Sequence, residues 1–136
     1  MNIFIICSKA FYDKVLPIKM SLEKLGHKVT LPNSFDNPNA EDEYRKIGAS
    51  VHRKWKAGMI RHSEKVIGNN DAVLVLNFEK NEQANYIGGA TFLEMYDAFR
   101  LKKKVFTYNP LPDNMLRDEI EGFMPVVIHG QLELIR

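Results

Sequence analysis

A carboxylate follows a pair of glycines in the middle of the chain. Gly88 and Gly89 come just before Thr91, and Glu94 stands three residues after Thr91. Glycines let backbone N–H groups approach a ligand, and the start of a helix adds partial positive charge. The segment 85–94 therefore predicts a site for a phosphate or a sugar. A carboxylate in the first helical turn beside such a site is a candidate nucleophile or general base.

The same spacing has a purely structural interpretation. The string T-x-x-E is a capping box, in which Thr91 accepts a hydrogen bond from the N–H of Glu94 and the Glu94 carboxylate accepts one from the N–H of Thr91. Spacing alone favours this interpretation. The two roles are compatible if the helix begins earlier, at Gly89 or Ala90.

The elements that must position these residues alternate along the chain. Apolar runs predict strands at residues 2–7, 27–31, 72–77, 104–108 and 126–128. Helical periodicity or composition predicts helices at residues 11–25, 41–67, 91–103 and 113–122. This order predicts one α/β domain over residues 1–136. We expect a three-layer sandwich of the Rossmann- or flavodoxin-like type, with a parallel sheet of about five strands and helices on both faces.

The long helix predicted at 41–67 carries one stripe that is expected to face inward. Its members recur every three or four residues: Tyr44, Gly48, Val51, Trp55, Met59, His62 and Val66. His62 lies on this stripe and is predicted to be a satisfied core histidine rather than a catalyst.

Ligands of parallel sheets bind beyond the carboxyl ends of the strands. This edge is predicted to collect Cys7, Ser8, Lys9, Pro32, Asn77, the 85–91 loop and Asn109. Ser8 could bind a phosphate or sugar hydroxyl, although spacing favours a helix N-cap. Asp71 precedes a strand at the opposite edge, where turn chemistry is its expected role.

Bulk properties exclude several classes of protein. The 136 residues fit one domain, and no apolar run approaches the ~20 residues needed to cross a bilayer. A net charge of +2 is too small to argue for nucleic acid. Cys7 is the only cysteine, which rules out an internal disulfide and favours a reducing, cytoplasmic setting. The four histidines and one cysteine show no paired spacing, so no metal site is predicted.

The order of these segments resembles the nucleoside 2-deoxyribosyltransferase-like superfamily, which includes the 2′-deoxynucleoside 5′-phosphate N-hydrolases. Five stretches carry the resemblance: Ile5–Ser8, Leu25–Val29, Asn70–Asn77, Tyr86–Met95 and Lys103–Phe106. It implies that Glu94 attacks the anomeric carbon of a ribosyl or deoxyribosyl group. The residues implied to contact the substrate are Ser8, Tyr12, Asn77, Gly88, Gly89 and Thr91.

The resemblance also implies a reaction and its partners. The expected reaction is N-glycosidic bond cleavage or base transfer on a nucleoside or nucleotide, without a redox or metal cofactor. Related enzymes complete their sites with a neighbouring subunit, so a homo-oligomer is expected, with the apolar tail Gln131–Arg136 at the contact. Two alternatives stay open. One is a non-catalytic nucleotide-binding module of the same fold, and the other is an interaction protein that uses the basic helix 41–67 on RNA or a partner.

Overall fold

Five parallel strands form a single sheet in the computed structural model, which describes residues Met1–Arg136. The strands are β1 (Asn2–Ile6), β2 (Lys28–Thr30), β3 (Ala72–Val75), β4 (Lys104–Thr107) and β5 (Val126–Val127). Their order across the sheet is β2-β1-β3-β4-β5, and every neighbouring pair is parallel. This is the strand order of flavodoxin-like folds. The predicted parallel sheet is therefore confirmed.

Five α-helices connect the strands. They are α1 (Tyr12–Lys24), α2 (Ala40–Ile47), α3 (Ala49–Gly68), α4 (Gly89–Arg100) and α5 (Arg117–Gly122), with short 3₁₀ turns at Lys9–Phe11 and Leu132–Leu134. None of them is long and apolar enough to span a membrane. The helix predicted at 113–122 begins later, because the side chain of Asn114 accepts a hydrogen bond from the N–H of Leu116 and forms a turn there.

The strands bury both faces of the sheet. Along β1, Ile3 and Ile5 pack with α1, whereas Phe4 and Ile6 pack with α3 and α4. All four residues of β3 are buried as well. Successive side chains of a strand point to opposite faces, so a continuous apolar run requires cover on both sides. The two separate clusters give the three layers of the sandwich.

The prediction of one long helix at 41–67 is wrong. Gly48 separates α2 from α3, because its φ of 159° and ψ of 158° lie outside the helical region. The predicted inward stripe is wrong in part as well, because Tyr44 and Val51 are exposed. His62 is exposed, and Ser63 and Ile67 are buried instead. In the last two turns the predicted stripe lies one residue before the buried positions, so the buried serine was missed.

The C-terminal tail covers the protein's own core. Ile135 is 3% exposed and belongs to the cluster that packs with α1, and Leu132 and Leu134 pack against the same cluster. A further contact of this tail with a neighbouring subunit stays a prediction. Its apolar side chains already have partners within the chain.

Candidate functional site

A cavity of about 320 Å³ opens beyond the carboxyl ends of β1 and β2. Its walls come from residues 6–9 after β1, residues 32–34 after β2, one side of α3, and the first turns of α4. The chain reverses its winding direction between β1 and β3, and this is where ligands bind in such sheets. The volume is that of a small-molecule site, for which about 300–1,000 Å³ is typical. The prediction that Ser8 and residues 85–94 border one pocket is confirmed.

The start of α4 forms one wall of this cavity, and no side chain caps its free N–H groups. Gly88 is the N-cap residue and offers no side chain, and the first turn contains no acidic residue. The N–H groups of Gly89, Ala90 and Thr91 have no acceptor within the protein. Such a terminus carries partial positive charge and free donors, which together favour an anion.

The two glycines at this start differ in their surroundings. A Cβ atom on Gly88 would lie 3.2 Å from the hydroxyl oxygen of Tyr86, whereas one on Gly89 would meet nothing within 4 Å. Gly88 therefore allows Tyr86 to pack over the helix start. Gly89 leaves open space on the cavity wall.

The capping-box interpretation of Thr91 and Glu94 is wrong. The helix begins two residues before Thr91, and Thr91 is buried within its first turn. The carboxylate of Glu94 turns away from the helix start. Its Oε2 accepts a hydrogen bond from Oγ of Ser63 on α3, at 3.0 Å. The carboxylate is thus held across the cavity rather than used as a cap.

A second hydrogen bond supports Ser63. The side-chain amide of Asn33, in the loop after β2, donates to Oγ of Ser63 at 2.6 Å. Asn33, Ser63 and Glu94 all line the cavity and come from three different segments. Neither Asn33 nor Ser63 was singled out from the sequence. The only signal was the long loop at 32–40, since irregular loops after strands often carry function.

The electrostatic environment of Glu94 brings its titration near neutrality. Burial raises the pKa of this carboxyl from 4.5 to about 7. The hydrogen bond from Ser63 opposes that rise, the negative charge of Asp97 adds to it, and the positive charge of Lys56 opposes it. A carboxyl with a pKa near 7 can exchange its proton at physiological pH, which suits acid–base or nucleophilic work.

Tyr12 and Cys7 lie on the β1 side of the same cavity. Burial raises the pKa of each to about 12, and the negative charge of Glu94 contributes to both rises. Both groups are therefore neutral at physiological pH. The Tyr12 hydroxyl can donate or accept a hydrogen bond there, and the Cys7 thiol has little nucleophilic character.

Ser8 and Lys80 meet at another part of the wall. Nζ of Lys80 lies 3.4 Å from Oγ of Ser8 and 4.8 Å from the ring centre of Tyr86. Lys80 forms no ion pair with a carboxylate, so its charge is available to a ligand. The Ser8 hydroxyl also accepts a hydrogen bond from the N–H of Ala10, which confirms its N-cap role. Lys80 was not predicted, because a lysine in a loop carries no distinguishing pattern.

Asn77 does not reach the cavity. Its amide donates to the carbonyls of Asn109 and Pro110, at 3.1 and 2.9 Å, and its Oδ1 accepts from the N–H of Asn109 at 2.9 Å. The residue is fully buried. Its hydrogen-bonding groups are used in joining the ends of two loops, so the prediction that it contacts a base is wrong. Asn109 belongs to the same cluster.

Charged pairs connect α2 to the rim of the cavity. Lys9 pairs with Asp42 at 2.9 Å, and Lys56 pairs with Glu41 at 3.0 Å. Nε2 of His52 lies 2.9 Å from the same Glu41 carboxylate. The start of α2 is therefore tied both to the loop after β1 and to α3.

Ser8, Tyr12, Gly88, Gly89, Thr91 and Glu94 all line one cavity, and Asn77 is the only predicted site residue that does not. No group of three or more His, Cys, Asp or Glu side chains is arranged to hold a metal ion. The resemblance to the nucleoside 2-deoxyribosyltransferase-like superfamily stays a prediction. Compared with known protein families, curated proteins and solved structures, the chain has no match in any of the three.

Proposed function

We propose that the protein cleaves, or transfers a base across, the N-glycosidic bond of a nucleoside or nucleotide, with Glu94 as the nucleophile. One observation carries this proposal: Glu94 and an uncapped helix start line the same small-molecule cavity. The helix start favours an anion or a sugar hydroxyl, and the carboxylate can stabilise positive charge on a sugar ring.

The spacing along α4 suits a sugar with a 5′ substituent. Glu94 follows Gly89 by five residues, which is about 7.5 Å along the helix axis. It stands four residues after Ala90 and three after Thr91, so these side chains share one side of the helix. A pentose held at the helix start through its 5′ end can present its anomeric carbon to Glu94.

The proposed reaction needs a negative charge beside the anomeric carbon and hydrogen-bond donors around the sugar hydroxyl or phosphate. As the bond between C1′ and the base nitrogen breaks, the electron pair leaves with the base, which then takes up a proton. Positive charge develops on the sugar ring, and an oxygen of Glu94 bonds to C1′. Water, or the nitrogen of a second base, then displaces Glu94 from C1′ and gives up a proton, which balances the proton taken up by the released base. Meanwhile the free N–H groups of α4, with Ser8 and Lys80, hold the sugar hydroxyl or phosphate in place.

The alternative is a nucleotide-binding module of the same fold without catalysis. The observation that favours it is the pKa of Glu94, which burial raises to about 7. A protonated carboxyl cannot attack carbon, but it can donate a hydrogen bond to a ribose hydroxyl. In that case Glu94 would only bind the sugar.

The two functions differ in base release. The experiment follows release by chromatography from purine and pyrimidine ribo- and deoxyribo-substrates, with and without a 5′ phosphate and an acceptor base. Wild type is compared with Glu94→Gln, which keeps the size of the side chain, and with Glu43→Gln on the exposed side of α2. We expect release by wild type and Glu43→Gln and loss in Glu94→Gln. Wild type that binds nucleotides and releases nothing would leave only the binding module.

Two expectations that accompany this function stay predictions: a homo-oligomer and a cytoplasmic setting. The tail Gln131–Arg136 gives the first little support, because its apolar residues pack against the core of the chain itself. Sedimentation at micromolar concentration tests it directly. A purely monomeric species that releases base would show that one chain forms a complete site.

A further inference from the structure

The hydrogen bonds between Asn33, Ser63 and Glu94 have a direction. The amide Nδ2 of Asn33 donates to Oγ of Ser63 at 2.6 Å, and the same Oγ donates to Oε2 of Glu94 at 3.0 Å. A serine hydroxyl has one proton to give and two lone pairs to accept with. The amide nitrogen of Asn33 can only donate and an ionised Glu94 carboxylate can only accept, so the hydroxyl proton of Ser63 points to Glu94. A donor aimed at a carboxyl oxygen favours the ionised form.

We propose that Asn33 and Ser63 are positioning residues that favour the ionised form of Glu94 and fix the orientation of its carboxylate at the cavity wall. The inference rests on the proposed role of Glu94 and adds two residues to it. Neither residue touches the reacting atoms in this account. They act through the proton state and the orientation of the carboxylate.

The other groups that face Glu94 come from four segments of the chain. Lys56 on α3 favours the ionised form, but its charge is shared with Glu41, 3.0 Å away. Asp97 on α4 favours the neutral form, as burial does more strongly. Cys7, after β1, and Tyr12, on α1, are neutral at physiological pH. The hydrogen bond from Ser63 is thus the largest contribution that opposes burial.

A simpler role for the pair is to pin the loop after β2 onto α3. Ser63 is 6% exposed, and its bond to Asn33 joins these two segments. That role would affect the stability of the fold and leave the titration of Glu94 unchanged. The experiment must therefore measure the proton state of Glu94 itself.

The titration of Glu94 can be followed by NMR in ligand-free protein labelled with ¹³C at the glutamate side-chain carboxyl. Glu94→Gln identifies the signal. We expect Ser63→Ala to move the midpoint upward by about one pH unit, because it removes the only side-chain hydrogen bond to Glu94. Asn33→Asp should move it further upward, since a carboxylate accepts the Ser63 proton and adds negative charge. Ser63→Thr keeps the hydroxyl donor and should restore the wild-type midpoint.

Matched controls carry the same chemical changes away from the cavity. Ser50→Ala lies on the exposed start of α3, and Asn37→Asp lies in the same loop as Asn33. Midpoints in Ser63→Ala and Asn33→Asp that equal those of their controls would overturn the proposal. If Ser63→Ala does not fold, Asn33→Asp and Ser63→Thr decide it by the same measurement. If the midpoint shifts but the protein releases no base, Asn33 and Ser63 keep their positioning role and the proposed reaction is refuted. The failure of this inference and the failure of the proposed function can therefore be told apart.

Discussion

Two polar clusters, each built around one buried polar side chain, lie at the same edge of the sheet and differ in one respect. The cluster around Asn77 is closed, because its amide and carbonyl groups pair with Asn109 and Pro110. The cluster around Glu94 is open, because its carboxylate has one side-chain hydrogen bond, from Ser63, and borders a cavity. A fully paired network specifies structure, whereas a partly paired one retains capacity for a ligand. We therefore expect the first cluster to contribute mainly to stability, and we propose that the second carries the chemistry.

The largest expected effect is on chemistry at the open cluster. Glu94→Gln should reduce base release roughly a thousandfold or more, because the nucleophile is lost, while nucleotide affinity stays close to that of wild type. Steady-state release and calorimetric binding measure the two quantities. Parallel losses of affinity and rate would assign Glu94 to binding and remove the contrast with the closed cluster.

The next effect is on stability at the closed cluster. Asn77→Ala should lower the free energy of unfolding by about 2–3 kcal/mol, because it removes the three hydrogen bonds that the buried Asn77 side chain makes to the backbone of Asn109 and Pro110. Asn37→Ala, on the exposed loop, serves as the control and should change it by less than about 0.5 kcal/mol. Urea denaturation checks both. Base release by folded Asn77→Ala should match wild type, and a selective loss of activity would place Asn77 in the site after all.

The open cluster should also make stability depend on pH. The folded pKa of Glu94 is raised by burial from 4.5 to about 7, so the folded state binds more protons than the unfolded state between these values. Ionising the carboxyl therefore destabilises the folded state, an effect that is absent below pH 4.5 and complete above pH 7. We expect wild type to lose about 2–3 kcal/mol of stability relative to Glu94→Gln across this window. Parallel pH–stability curves for the two proteins would show that Glu94 titrates normally.

The smallest effect separates the two glycines at the helix start. Gly89→Ala should leave stability unchanged or raise it by about 0.5 kcal/mol, because its Cβ meets nothing within 4 Å and alanine favours a helix. The added methyl group lies on the cavity wall and should weaken nucleotide binding. Gly88→Ala instead displaces the Tyr86 hydroxyl, 3.2 Å away, and should lower stability. Thermal denaturation and nucleotide titration of both variants measure these effects. Equal changes in stability and in nucleotide affinity for Gly88→Ala and Gly89→Ala would contradict the predicted difference.

The fold could be predicted because its signals are local. Continuous apolar runs in β1 and β3 require cover on both faces, and their alternation with helices requires parallel strands. The break at Gly48 was missed, because a glycine inside a periodic pattern is compatible with both a continuous helix and a break.

The site could be predicted only in part. Residues on one segment, from Gly88 to Glu94, are recognisable from their spacing. Asn33 and Ser63 are far apart in sequence and become partners only through the packing of the loop after β2 against α3. Asn77 showed the converse difficulty. A polar residue at the end of a strand predicts a ligand contact, yet a neighbouring loop had already paired its amide.

The central claim is that a sugar becomes bonded to Glu94, and rapid acid quenching followed by peptide mass spectrometry tests it most directly. Wild type is mixed with the substrate that releases base fastest, in the absence of an acceptor base, and quenched within the first turnover. The account predicts a peptide containing Glu94 that is heavier by the substrate sugar, and no such peptide from Glu94→Gln. An adduct on another residue, or steady base release by Glu94→Gln at the wild-type rate, would contradict it.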